Sequence, residues 1–194
     1  REPLAISEVL SILRDVARAL AYAHDRGVVH RDIKPDNVLL SGRTAVVTDF
    51  GIAKAIAAAA EGPAGATLTQ LGTAVGTPAY MAPEQAAGDP ATDHRADIYA
   101  FGCMAYELLA GRSVFPDLAP HKLLFAHMTE TPKPIADLRP DCPPSLASLV
   151  MECLAKSPDS RPASATELLQ RLDATTSAGA SRRPGILIGG RSML

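Results

Sequence analysis

The sequence predicts a mainly α-helical fold that contains one short β-hairpin in its first quarter. Apolar residues recur at helical spacing between residues 6 and 20, and again between residues 97 and 109. Between these segments, residues 38–40 and 45–48 form two short runs of strand-favouring residues, and the Ser-Gly-Arg stretch at 41–43 has the composition of a hairpin turn.

Capping residues set the expected helix boundaries. Ser7 is the predicted N-cap of the first helix, and Gly27 is its predicted terminator. The helix over 97–109 is expected to stop at Gly111, because glycine readily adopts the left-handed conformation that ends helices. Three further helices are predicted over residues 120–129, 145–155 and 164–173.

The last predicted helix opens with a capping box formed by Ser164 and Glu167. Beyond it, the Ser, Gly, Ala and Arg content of residues 174–194 predicts a disordered tail. Residues 55–75, rich in Ala, Gly and Thr, are predicted to be a mobile loop. The sequence therefore predicts one folded domain over residues 1–173.

Composition narrows the classes of function. With 194 residues the chain is long enough for one domain with a substantial core, and its net charge of −2 gives no basic field for nucleic acid. Three cysteines without a C-x-x-C pair argue against disulfides and zinc, and suit the reducing cytoplasm. The apolar run at 186–188 is too short to span a bilayer, so we expect membrane association only through a segment beyond these residues.

Polar residues that could take part in catalysis or metal binding lie on both sides of the predicted hairpin. Asp32, Lys34 and Asn37 lie in the loop before it, and Asp49 lies just after it. A hairpin is a rigid way to bring two such loops side by side. Asn37 and Asp49 offer hard oxygen ligands of the kind that Mg²⁺ prefers. The complete motifs are His30-Arg31-Asp32, Lys34, Asn37 and Asp49-Phe50-Gly51.

These motifs, in this order, resemble the catalytic core of eukaryotic-like bacterial serine/threonine protein kinases. The resemblance implies transfer of the γ-phosphate of ATP to Ser or Thr hydroxyls of proteins, with Mg²⁺. By this resemblance Asp32 is the base that aligns the substrate hydroxyl, and Lys34 neutralises the transferred phosphate. Asn37 and Asp49 would hold the metal and, with Lys34, the phosphates of ATP.

Further matches extend the resemblance over about residues 4–173. The stretch Gly-Thr-Pro-Ala-Tyr-Met-Ala-Pro-Glu at 76–84 resembles the end of a kinase activation segment. The family pattern implies that Thr77 hydrogen-bonds with Asp32 and Lys34, and that His30 is buried against Phe50. It also implies that Asp97 holds the backbone of the His30-Arg31 loop, and that Arg161 forms a buried ion pair with Glu84.

Arg31, directly before Asp32, implies regulation by phosphorylation. Kinases with this Arg-Asp pair usually order their activation loop when a phosphate pairs with the arginine. Three threonines precede the Gly-Thr pair closely enough to be candidates for modification, including by the kinase itself. We favour Thr69, followed by Thr67 and Thr73.

Other kinase motifs are missing from these residues. No G-x-G-x-x-G loop occurs, and no lysine is found among the 29 residues before His30. We therefore expect a C-terminal lobe (C-lobe) without its N-terminal lobe, whereas an intact kinase would be a two-lobed α+β protein. The 194 residues alone are expected to bind ATP poorly and to be inactive.

Two rival functions stay open. The first is a non-catalytic kinase-like binding module, which the missing small lobe favours and the intact catalytic residues disfavour. The second is a small-molecule phosphotransferase, but such proteins generally lack the Thr77 loop and the Ala-Pro-Glu motif. Four other histidines are expected to be surface or helix-end residues: His24, His94, His121 and His127.

Overall fold

The computed structural model describes residues 4–50 and 77–180, with side chains as far as residue 175. Within these residues the chain is mainly helical and has one two-stranded antiparallel sheet, as the sequence predicts. Numbered in chain order, the elements are α1 (Ile6–His24), β1 (Val38–Ser41), β2 (Thr44–Val47), α2 (Pro83–Ala86), α3 (Arg95–Ala110), α4 (Pro120–Thr129), α5 (Ile135–Leu138), α6 (Pro144–Cys153) and α7 (Ala165–Ala180). Single 3₁₀ turns lie at Pro35–Asn37, Pro78–Tyr80 and Pro158–Ser160.

Helix α1 forms because its apolar residues fall on one face, which is fully buried at Val9, Leu13, Val16 and Leu20. The predicted N-cap was wrong by two residues. The cap is Ala5, which makes no side-chain hydrogen bond, and Ser7 lies inside the first turn.

Helix α3 is the centre of the core and contacts α1, α5 and α6. Gly102 makes its approach to α6 possible, because a Cβ at this position would lie 2.7 Å from Cβ of Cys153. The predicted stop at Gly111 is confirmed, since this residue caps the helix with φ of +70°. Cys103, also on α3, is buried, and burial raises the pKa of its thiol.

The hairpin packs on α1. Its strands pair Val38 with Val47 and Leu40 with Ala45. The Asp15 carboxylate on α1 accepts a hydrogen bond from the backbone N–H of Ala45 at 2.9 Å, which ties the hairpin to the helix. The strands end beside the two loops that carry the candidate site.

Helix α7 continues past the predicted end at residue 173. Its N-terminus has the predicted Ser164 cap: the N–H of Glu167 donates to Oγ of Ser164 at 3.1 Å. The helix continues because it packs along α1 and because Thr175 is buried, with its hydroxyl bonded to the carbonyl of Arg171. The rest of the predicted tail, residues 181–194, lies outside the described residues.

Among the helices of residues 4–50 and 77–180, none combines the length and the apolar character needed to cross a bilayer.

Candidate active site

The backbone of the His30-Arg31 loop is held by one buried carboxylate. Asp97 on α3 is fully buried and accepts hydrogen bonds from the N–H groups of His30 at 2.8 Å and Arg31 at 2.7 Å. Arg31 has φ of +66°, which non-glycine residues seldom adopt. The two bonds to Asp97 stabilise this conformation and so determine where Asp32 lies.

A third donor to Asp97 comes from α1. The ring of His24 lies 2.8 Å from Oδ2 of Asp97, through Nε2. His24 is a helix-end residue, as expected, since it is the last residue of α1, but its side chain is only 8% exposed. The sequence gives no sign of this contact, since the two residues are 73 positions apart.

His30 connects the two loops of the site. Its side chain is fully buried, and its ring centroid lies 4.7 Å from that of Phe50. Nδ1 accepts the N–H of Asp32 at 3.3 Å, so Nε2 carries the proton and donates to the carbonyl of Thr48 at 2.8 Å. This bond joins His30, in the first loop, to Thr48, which directly precedes Asp49 in the second.

The Asp32 carboxylate lies among three polar groups. Lys34 places its Nζ 3.1 Å from Oδ2, and the amide nitrogen of Asn37 donates to the same oxygen at 3.3 Å. The other oxygen, Oδ1, accepts the backbone N–H of Thr77 at 3.2 Å. Lys34 also donates to the hydroxyl of Thr77 at 2.8 Å. The structure thus brings together Asp32, Lys34, Asn37 and Thr77.

Asn37 and Asp49 flank the hairpin: Asn37 directly precedes β1, and Asp49 follows the last residue of β2 by two positions. The N–H of Thr48 donates to the Asn37 carbonyl at 2.9 Å. Because Asp49 directly follows Thr48, this bond keeps the backbone of Asp49 close to that of Asn37. The Asn37 side chain donates two hydrogen bonds through Nδ2, which leaves its amide oxygen available, and Asp49 is exposed. Two such oxygens fit Mg²⁺, which binds few protein groups and keeps several waters. The described residues hold no cluster of three or more His, Cys, Asp or Glu side chains that would suit a more fully protein-ligated metal.

A shallow depression adjoins Asp32 and is lined in part by Arg31, Thr77 and Met81. Behind it, the hydroxyl of Tyr80 donates to Oε2 of Glu107 on α3. Burial, together with this carboxylate, raises the pKa of Tyr80 far above its usual value, so the phenol stays protonated.

Glu84 and Arg161 form a bidentate ion pair. The two guanidinium nitrogens lie 2.7 and 2.8 Å from the two carboxylate oxygens. The Arg161 side chain is fully buried, and it also donates to the carbonyls of Arg95, Ala155 and Lys156. The buried guanidinium thus donates five hydrogen bonds, which compensate for the loss of water around its charge.

His127 is a buried residue that sequence reasoning missed. It lies in the last turn of α4, which fits the helix-end position that we expected, but its side chain is fully buried and its Nδ1 lies 2.9 Å from the Tyr99 hydroxyl. One signal was available: residue 127 follows Leu123 by four positions on α4, so it shares the apolar face. His94 fits the expectation better, since it lies at the start of α3 and donates from Nε2 to the carbonyl of Ala163.

Four residues with predicted roles lie outside the described residues: Gly51, Thr67, Thr69 and Thr73.

Comparison with known proteins defines the class of this chain. A family model described as protein kinase domain matches residues 1–172. The match covers most of the 194 residues, so the chain belongs to the protein kinase family.

Bacterial serine/threonine-protein kinases are among its relatives. The chain is 38% identical to serine/threonine-protein kinase PknB of Mycolicibacterium smegmatis over 167 residues, which is 86% of this chain and 26% of that protein. Two kinases of Myxococcus xanthus are similar: pkn2 at 38% over 95% of this chain and 22% of the relative, and pkn3 at 40% over 89% and 32%. The chain therefore spans only 22–32% of the length of these relatives.

Proposed function

We propose that these residues are the C-lobe of a protein kinase that transfers the γ-phosphate of ATP to Ser or Thr hydroxyls of proteins. The observation that carries the proposal is the position of the Asp32 carboxylate, 3.1 Å from the Lys34 ammonium and 3.2 Å from the backbone nitrogen of Thr77. The names of the bacterial relatives support the same activity.

In this proposal Asp32 orients the substrate hydroxyl and accepts its proton. An ionised carboxylate is an acceptor only, and the bonds from Asn37 and Thr77 hold its two oxygens in place. The hydroxyl would approach the solvent-accessible part of the Asp32 side chain, which is 24% exposed. Lys34 would place its charge next to the transferred phosphate, because its amine already lies between Asp32 and Thr77.

Asn37 and Asp49 would hold Mg²⁺, with their side-chain oxygens as ligands. When bound, the metal neutralises the charge of the ATP phosphates. The chain's own part is to fix the two ligands relative to Asp32. Asn37 does so through its second bond from Nδ2, to the Asp32 carbonyl at 2.8 Å.

The exposed face of the hairpin supports the assignment to the C-lobe. Leu39 and its cross-strand partner Val46 lie on one face of the hairpin and are 57% and 46% exposed, although both are apolar. Adjacent exposed aliphatic residues are typical of a surface that another part of the protein or a ligand covers. We propose that the nucleotide and the small lobe cover this face in the intact, two-lobed kinase.

We also propose that activity depends on a phosphate in the activation segment. Arg31 is exposed and lies directly beside the catalytic carboxylate in sequence, so a phosphorylated Thr69, Thr67 or Thr73 that reaches it would influence the site. Phosphopeptide mapping of active enzyme is expected to find at least one of the three modified. The kinase itself and other cytoplasmic proteins would be the substrates.

The test is phosphate transfer by the complete gene product with radiolabelled Mg-ATP. Asp32→Asn is expected to lower kcat by about 10²–10⁴, the usual contribution of a general base, with an unchanged melting temperature. Asp25→Asn, at an exposed aspartate after α1, is the matched control and should keep wild-type activity. Near-normal turnover of the Asp32 variant would contradict the role given to it.

The same assay tests the expectation for the 194 residues alone, which should transfer negligible phosphate. A complete gene product without activity would favour the alternative of a non-catalytic binding module. The presence of Asp32, Asn37 and Asp49 together disfavours that alternative.

A further inference from the structure

A buried polar network lies on the far side of the segment that carries Thr77. Its members are His127 on α4, Tyr99 on α3, and Lys156 and Arg161 in the stretch between α6 and α7. The Arg161 guanidinium lies 4.9 Å from the centre of the Tyr99 ring. The His127 ring packs edge-on against Phe115, with 5.0 Å between centroids. We call these four polar residues the His127 network.

The hydrogen bonds of the network have a definite direction. Lys156 can only donate, and its Nζ lies 2.7 Å from the His127 carbonyl and 3.4 Å from the Tyr99 hydroxyl oxygen. Tyr99 therefore directs its own proton to Nδ1 of His127, at 2.9 Å. The remaining proton of the neutral ring must then be on Nε2.

The imidazole is neutral under ordinary conditions. Burial, and next to it the charge of Lys156, lowers the pKa of His127 to about 4. Burial likewise lowers the pKa of Lys156 to about 8. The ring thus offers one acceptor, used by Tyr99, and one N–H donor.

The helix that carries this donor packs on the turn that follows Thr77. Nε2 is buried and has no partner at hydrogen-bonding geometry among the described residues. The backbone of Ala79 lies close enough to favour the charged form of the ring. Ala79 belongs to the 3₁₀ turn Pro78–Tyr80, which directly follows Thr77 and packs on both α3 and α4.

The network also reaches the next helix of the same segment. Arg161 binds Glu84 on α2, only four residues after Tyr80. The segment from Thr77 to Glu84 is therefore supported at two points, by the packing of α4 under its start and by Arg161 under its end. Thr77 contacts the catalytic carboxylate, so a shift of the turn moves a substrate-facing element.

We propose that His127 is a positioning residue that sets the turn Pro78–Tyr80, and with it Thr77, for binding of the protein substrate. The inference rests on the proposed kinase function. It assigns to α4 a role in the KM for the protein substrate and not in the transfer of phosphate itself.

The experiment uses the complete gene product and three substitutions. His127→Phe keeps an aromatic ring for Phe115 and Tyr99 but removes both nitrogens. His127→Gln places an amide near the position of Nε2 and should restore a donor toward Ala79. Tyr99→Phe removes only the hydroxyl that orients the imidazole. Steady-state kinetics are measured against protein substrate and against ATP, with melting temperatures of all variants.

We expect His127→Phe to raise the KM for protein substrate about tenfold, with kcat and the KM for ATP changed less than twofold, and His127→Gln to return the KM to within threefold of wild type. A folded His127→Phe with wild-type KM would overturn the inference. So would an equal loss of kcat for all substrates that glutamine does not rescue. If His127→Phe does not fold, Tyr99→Phe decides: a raised protein-substrate KM supports the inference, and an unchanged KM overturns it.

Failure of the proposed function has a different signature. In that case the wild-type protein transfers no phosphate, and the inference falls with it. A wild-type protein that is active while the substitutions leave the KM unchanged contradicts the role of His127 alone.

Discussion

Two ion pairs beside the candidate site are made of similar groups in different surroundings. Arg161 and Glu84 are 0% and 9% exposed, and each guanidinium nitrogen that contacts the carboxylate has its own oxygen. Lys34 and Asp32 are 19% and 24% exposed and share one contact at 3.1 Å. We call the buried Arg161–Glu84 pair the closed pair and the partly exposed Lys34–Asp32 pair the open pair. The closed pair can only hold two segments together, whereas the open pair leaves a carboxylate accessible from solvent. Burial thus distinguishes a pair suited to a structural role from a pair suited to the proposed chemistry.

The largest effect on stability is expected from breaking the closed pair. Arg161→Ala should lower the free energy of unfolding by about 3–5 kcal/mol, because Glu84 is left as a buried charge without its partner. Arg18→Ala is the matched control, since Arg18 is 64% exposed in its pair with Asp15 and should cost at most about 1 kcal/mol. Denaturant titration of the complete gene product measures both. Equal values for the two variants would remove the distinction drawn from burial.

Acidification tests the polar groups next to the closed pair. The unfolded chain binds a proton at an ordinary histidine pKa of 6.5, whereas folded His127 binds it only near pH 4. Between these values the unfolded state holds more protons, so stability is complete above pH 6.5 and falls as the pH decreases to about 4. The expected loss is about 3 kcal/mol.

Comparison of the wild type with His127→Phe isolates this contribution, since carboxylates titrate in both proteins. The difference in unfolding free energy between them should shrink by about 3 kcal/mol from pH 7 to pH 4. A constant difference would mean that His127 is not held neutral by its surroundings.

The smallest effect is expected in the open pair. Thr77→Val removes the hydroxyl that accepts from Lys34 but keeps the side-chain shape. A hydrogen bond of this kind contributes about 1 kcal/mol, so kcat should fall by roughly fivefold to tenfold with little change in melting temperature. Thr92→Val, which removes an exposed hydroxyl bonded to the Asp89 carbonyl, should leave kcat unchanged. A loss of stability without a loss of kcat would place Thr77 with the structural contacts.

Local patterns predicted much of the fold. The hairpin, the stop of α3 at Gly111 and the position of α4 all depend on residues within a few positions of each other, and the structure has them as expected. The end of α7 was not predictable in this way. The helix packs on α1, more than a hundred residues earlier in the chain, and Arg14 of α1 contacts it at Leu172 and Asp173.

The site shows the same division. The order of motifs indicated Asp32, Lys34 and Asn37 as neighbours, since they lie within six residues. The contact of His24 with Asp97 and that of His127 with Tyr99 join residues 73 and 28 positions apart. No spacing rule reports such contacts, and a lone histidine in a helix is compatible with both exposure and burial.

The contacts of Asp97 also bear on the order in which the chain folds. His30 and Arg31 lie 67 and 66 residues before the carboxylate that holds them, so a long loop must close before their hydrogen bonds exist. Helix α1 and the hairpin depend on nearby residues and can form early. The left-handed backbone at Arg31 gains its support only when α3 docks. A ribosome-bound chain that has emerged as far as residue 90 would thus carry every residue of the His30–Asn37 motif, but not yet the conformation that makes them a site.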